Sequence, residues 1–149
     1  MSKEVCNNET SNTSSLTDQR LRELAEAIKP EVSDFTGQWD AFSVVFTVAT
    51  GLDGLILQQV DPVFYLDSGA FTHAVFSRHV LENPAVRYVE TRTDDRAFQM
   101  AVFFFTYIEE TKGIETRMFW DQDAAPFLVT PESWASVAQA ANPYREKKA

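Results

Sequence analysis

The residues best suited to chemistry are two histidines, His73 and His79, two acids flanking a glutamine at Asp121-Gln122-Asp123, and a serine within Asp67-Ser68-Gly69-Ala70. Six positions apart, the histidines would lie about 120° from one another on a helix, or about 20 Å apart along a strand, so neither geometry makes a two-ligand metal site. The sequence has no His-Glu-x-x-His or Cys-x-x-Cys pair, and a structural or surface role is expected for each ring. Acids at i and i+2 in a loop can turn both carboxylates onto a hard cation such as magnesium or calcium. Ala124-Ala125-Pro126 supplies neither the glycine nor the later glutamate of a calcium loop, so a solvated polar loop at a sheet edge is expected instead. Ser68 has no Gly-x-Ser-x-Gly elbow around it, and a serine between Asp and Gly is ordinary turn chemistry. Gly37, Gly51, Gly54, Gly69 and Gly113 are scattered and form neither a Walker loop nor a dinucleotide fingerprint. No catalytic, cofactor-binding or metal-binding residue is assigned on these grounds, and no cofactor is expected.

The elements that would position these residues can be read from periodicity. Thr17 is placed to cap a helix and Asp18 to favour its first turn; Leu21, Leu24, Ala25 and Ile28 then form an apolar stripe up to Pro30. From Trp39 the period changes to two, with Phe42, Val44, Phe46 and Val48 on one face of a strand. Leu55 to Val60 is expected to pair with it in a hairpin and to end at Asp61-Pro62, with a further short strand over Val63 to Leu66. A middle helix is expected over Phe71 to Leu81, closed by Asn83-Pro84, followed by a strand over Val86 to Thr93. Ala97 to Ile108 is apolar on both faces, which puts it in the middle of a sheet, and Ile114, Thr116, Met118 and Trp120 complete a second hairpin. Thr130, Pro131 and Glu132 signal the start of a last helix, whose stripe of Trp134, Val137, Ala138 and Ala141 runs to Asn142-Pro143.

The fold class expected is therefore α+β: one domain with a mostly antiparallel sheet of about five to six strands, an N-terminal helix, a C-terminal helix and a middle helix. It spans 16–143, between a flexible polar tail at 1–15 and a short charged tail at 144–149. Twelve phenylalanines, three in succession at Phe103 to Phe105, require that the central strand be covered on both sides or present one apolar face to a partner. A ligand pocket in such an aromatic core, with Asp40 or Asp67 at its rim as general base, is the enzymatic alternative.

Charge narrows the partners. The chain has 149 residues, with 13 Lys and Arg against 22 Asp and Glu, a net charge of −9. That excess repels phosphate backbones and anionic lipid, so neither nucleic acid nor membrane is an expected partner. Cys6 is the only cysteine, so no disulfide framework forms, and Met1 to Ser15 lacks the apolar core of a secretory signal; cytoplasm is the expected location.

Arg117-Met118-Phe119-Trp120-Asp121-Gln122-Asp123 and the residues up to Pro131, followed by a helix ending at Pro143, resemble the end of small acidic bacterial immunity proteins of polymorphic-toxin systems. The element order from Trp39 to Pro143 fits, and the final third carries the resemblance. It implies an α+β domain whose negative surface plugs the basic cleft of a nuclease or related toxin. The chain is also similar in size, charge and α-β-β-β-α-β-β-α order to acidic chaperones of type III secretion, which implies a stable homodimer with exposed apolar grooves. Neither resemblance assigns individual residues. Physical reasoning points the same way, since excess acid without a catalytic constellation suits work done by a surface. The expected partner is a basic effector protein, bound by a monomer or homodimer through acids in turns: Asp53, Asp94, Asp95, Glu109, Glu110, Asp121 and Asp123.

Overall fold

The computed structural model describes residues 8–33, 39–93 and 97–145. Its elements are α1 (Asn8–Val32), β1 (Ala41–Gly51), β2 (Gly54–Tyr65), β3 (Phe71–His73), α2 (Arg78–Glu90), β4 (Met100–Ile108), β5 (Gly113–Trp120) and α3 (Trp134–Ala140). All five strands join one antiparallel sheet in the order β3-β2-β1-β4-β5. The α+β class and the three helices match the sequence reading. No helix among the described residues is long and apolar enough to cross a membrane.

One face of the sheet is covered by α1 and α2. Leu24, Ile28 and Val32 recur at every fourth position of α1, and Leu81, Ala85, Tyr88 and Val89 form the matching stripe on α2. Both stripes meet Phe42, Val44, Phe46, Val48, Phe103 and Phe105 from the central strands. In β2 the residues that reach this core change parity, from Val60 and Phe64 to Leu55 and Leu57. Gln58 makes that possible: Thr47 pairs with Gln59 but Val48 with Leu57, so β2 carries one extra residue at a bulge.

The other face is covered by the C-terminal segment, comprising two short 3-10 turns (Asp121–Asp123 and Ala125–Phe127), α3 and Tyr144. Val102 and Phe104 bury here, so β4 is covered on both sides as its double apolar pattern predicts. The cover is fastened by polar groups. Ser43 Oγ donates to Ala141 O (2.9 Å), Tyr65 Oη to Ala138 O (2.6 Å), and Gln59 Nε2 to Val129 O (3.1 Å).

Several expectations are corrected. α1 begins by Asn8, inside the stretch read as a flexible tail, because neither Gly nor Pro interrupts the chain before Pro30; residues 1–7 lie outside the described residues. Thr17 therefore sits within the helix, where its Oγ1 reaches Thr91 O at the end of α2 (3.5 Å), and Pro30 lies in the last turn rather than ending it. Asp61-Pro62 does not break β2. The Pro62 carbonyl accepts from Ala74 N on the β3 side, and because the N and O of a strand residue point the same way, its missing N–H costs β1 nothing.

Of Phe71 to Leu81 only the part from Arg78, where α2 starts, is helical; Phe71–His73 is an edge strand paired with Val63–Tyr65. The helix then passes through Asn83-Pro84 and takes up Val86 to Glu90, which the alternation assigns to a strand. An interior proline costs about 3 kcal/mol, but burying Leu81, Tyr88 and Val89 returns about 1.5–3 kcal/mol each, so tertiary packing wins. α3 begins at Trp134, a turn later than Thr130-Pro131 predicts, although Thr130 Oγ1 accepts from Ser133 N and Ser133 Oγ accepts from Thr130 N in a capping exchange.

Burial of Tyr65 holds its phenol well above the usual tyrosine range. A raised native value contributes stability that is complete below the unfolded pKa and is lost as the pH climbs past about 10. Alkaline titration of the fold should therefore show a steep loss above about pH 10 that Tyr65→Phe reduces, while costing about 1 kcal/mol at neutral pH for the lost bond to Ala138. Paired pH melts of the two proteins check this.

Candidate functional site

The acids expected in turns do not gather on one face. Asp53 closes the β1–β2 hairpin, and Asp121 and Asp123 follow Trp120 at the same end of the sheet. Glu109 and Glu110 close the β4–β5 hairpin at the opposite end, beside Ala41, about 30 Å away along β1. Asp94 and Asp95 lie outside the described residues. Asp121 is held at φ 52°, and its Oδ1 accepts from Gln99 N (2.8 Å) and Met100 N (3.1 Å), so one carboxylate oxygen is committed to fixing the start of β4. No group of three or more potential metal-binding side chains occurs among the described residues.

The Ala41 end is the denser one. Asp40 N donates to Tyr65 O (2.8 Å), Asp67 N donates to Asp40 Oδ2 (2.8 Å), and Glu109 N donates to Asp40 O (2.9 Å). Three connections are thereby tied around Asp40, bringing Asp67, Glu109 and Glu110 to one end of the sheet. Tyr144 records their field: burial first, then Asp40, Asp67 and Glu110, raise its phenol above the usual range. Glu109 pairs with Lys112, whose hydrogen bond holds the glutamate below its ordinary value. The Asp40 carboxylate, expected at the rim of a ligand pocket, thus braces a loop through the Asp67 N–H.

This acidic end runs into an apolar groove of about 560 Å³ between α1 and the β4–β5 hairpin. Its floor is Ile28, Val32, Trp39, Phe42, Tyr107 and Ile114, with Arg22, Glu26, Lys29 and Glu109 at its edges. Trp39 stacks on Phe64 (centroids 5.7 Å apart) and meets Phe42 (5.3 Å) and Tyr107 (6.2 Å) edge-on. Its buried Nε1 makes no hydrogen bond among the described residues. Nothing in the linear pattern marks this groove. Trp39 reads as the start of a strand and Ile28 and Val32 as core, and the groove is visible only once α1 and the β4–β5 hairpin lie side by side. No family model, curated protein or solved structure matches the chain.

The histidines separate as their spacing requires. His79 is exposed in the first turn of α2. His73 lies on edge strand β3, with Nε2 3.7 Å from Asp61 Oδ1, too long for a hydrogen bond, and its ring against Trp134 at 5.7 Å. Burial raises the Asp61 carboxyl above the usual aspartate range, and the attraction of His73 offsets this only in part. Asp61 reads from the sequence as a strand terminator, and only the unbroken course of β2 reveals that it is carried under the C-terminal cover.

Proposed function

We propose that the protein works by binding another protein, as an acidic inhibitor of immunity or antitoxin type whose partner is a basic effector. The observation that carries this reading is the continuity of the acidic Asp40 end with the apolar groove, since Glu109 belongs to both. Apolar side chains of a partner fit the groove floor as anchors, while Asp67 and Glu110 attract basic residues around them. Opposite charge of this kind acts chiefly on the association rate and is screened by salt.

The test is co-purification from the native host followed by a salt titration of the isolated complex. Affinity for a basic partner should fall with ionic strength, and Asp67→Lys combined with Glu110→Lys should slow association by about tenfold or more and flatten the salt dependence. An affinity indifferent to salt, or a partner that is not basic, overturns the reading.

A second reading, an acidic secretion chaperone, is favoured by one observation, the α-β-β-β-α-β-β-α order of the elements. Light scattering on the purified chain distinguishes the two. A stable homodimer favours the chaperone, and a monomer favours the inhibitor.

A further inference from the structure

A second cleft, of about 440 Å³, opens on the face of the sheet away from the groove, between β2, β3 and the segment that leads into α3. Gln59, Asp61, His73, Val129, Thr130 and Trp134 line it. Among the described residues, two polar atoms on this face are buried without a hydrogen-bond partner: Asp61 Oδ2, and Oγ1 of Thr47, which pairs with Gln59 in the register. An orphaned neutral group costs about 1–3 kcal/mol and a charged one more, so the carboxylate is kept here at the expense of stability.

The surroundings narrow what Asp61 could serve. Gln59 Nε2 is committed to Val129 O, and no Lys or Arg among the described residues lines the cleft. An anion would be repelled by the carboxylate, and a neutral apolar ligand would bury it further without a donor. A metal ion lacks a third acidic, histidine or cysteine ligand among the described residues. Trp134 supplies an indole whose orientation is fixed edge-on by Phe71 (5.9 Å, 90°) and by His73 (5.7 Å, 61°). A carboxylate short of donors beside a clamped indole is the pairing that receives an organic cation, through charge-assisted hydrogen bonds and cation–π attraction together.

We propose that the cleft formed by Asp61, His73 and Trp134 binds a primary ammonium or guanidinium group, with its N–H donors on Asp61 and its charge against the Trp134 ring. The group has two possible sources, a free amine or guanidine or the Lys or Arg side chain of a protein. This site lies on the opposite face of the sheet from the groove and stands or falls independently of it.

The experiment is an NMR titration of the full chain with agmatine, with blocked arginine (Nα-acetyl, N-methylamide), and with 1-butanol as a neutral control. Saturable shifts at the His73 ring and the Trp134 indole are expected with at least one of the cations and not with the alcohol. Asp61→Asn should weaken binding by about tenfold or more while melting no lower than the parent, because it removes a desolvated charge. Trp134→Leu should weaken binding several-fold and serves if Asp61→Asn does not fold. Tighter binding of agmatine assigns the site to a free guanidine or amine, and equal or tighter binding of blocked arginine assigns it to a protein side chain. Absence of shifts with both cations, equal shifts with the alcohol, or unchanged binding by the Asp61→Asn or Trp134→Leu protein overturns the proposal.

Discussion

Replacing Phe46 with alanine should destabilise the fold by about 3–5 kcal/mol. Phe46 is fully buried in β1, the middle strand of the sheet, and its ring stacks on Phe103 with centroids 4.7 Å apart. Phe103 is in turn fixed by Tyr88 of α2 at 5.2 Å, so the ring column runs from sheet to helix. The substitution loses the transfer free energy of the ring and leaves a void that paired strands on either side cannot close. A comparison with Phe104→Ala sharpens the expectation. Phe104 is just as buried, but it packs on Phe119 and Phe127, both partly exposed and already 4.4 Å from one another, which can move into the space. Phe46→Ala should therefore cost more than Phe104→Ala. Urea denaturation checks both, with a lower midpoint at unchanged slope as the result that assigns the loss to the native core. Small domains have only about 5–15 kcal/mol to lose, so Phe46→Ala removes a large share.

How far the sequence discloses this molecule depends on which force decides each element. Where local pattern and packing agree, as in β1, β4 and β5, the alternation of Phe42, Val44, Phe46 and Val48, or of Met118 and Trp120 against Arg117, places each side chain correctly. The misreadings fall where a local breaker meets a strong tertiary demand. Pro62 sits at a position whose N–H the β1 ladder does not use, and Pro84 is outweighed by the buried stripe of α2, so neither acts as punctuation. The bulge at Gln58 is invisible in a linear pattern, because it shows only as a change of parity that a turn would explain equally well.

The candidate sites were less legible still. Acids in turns can be identified from sequence, but which end of the sheet each turn occupies follows from the strand order β2-β1-β4, and this order separates Asp53 and Asp121 from Glu109 and Glu110. Asp40 and Asp67 are 27 residues apart and meet only through the β1–β2 pairing. The apolar residues of the groove carry no mark of their own, since their meeting depends on how α1 lies against the β4–β5 hairpin.

The C-terminal cover provides the other large effect. Asn142→Ala should destabilise by about 3 kcal/mol, although the sequence presents Asn142 as a simple helix terminator before Pro143. The side chain is fully buried; Nδ2 donates to Gly69 O (3.0 Å) and Gln139 Oε1 (3.3 Å), while Oδ1 accepts from Tyr144 N (2.8 Å). Alanine leaves the Gly69 carbonyl and the Tyr144 amide without these partners inside the fold, where each lost bond costs about 1–3 kcal/mol. Asn142→Asp gives a stricter test. It keeps the acceptor for Tyr144 N but points an oxygen at Gly69 O, and burial raises the pKa of the new carboxyl. A raised native pKa makes its protonated form, which can donate to Gly69, the favoured one, so the Asn142→Asp protein should gain stability relative to the parent as the pH falls below neutrality. The effect reaches the proposed binding end through the chain itself. Gly69 lies two residues from Asp67, whose N–H holds Asp40 Oδ2, so loosening the Asn142 bond frees the loop that carries Asp67. Asn142→Ala should then weaken binding of a basic partner at a temperature where the fold remains intact, whereas Phe46→Ala should leave binding unchanged until it unfolds. A binding assay on both variants below their melting temperatures distinguishes a positioned acidic loop from acid that acts through net charge alone.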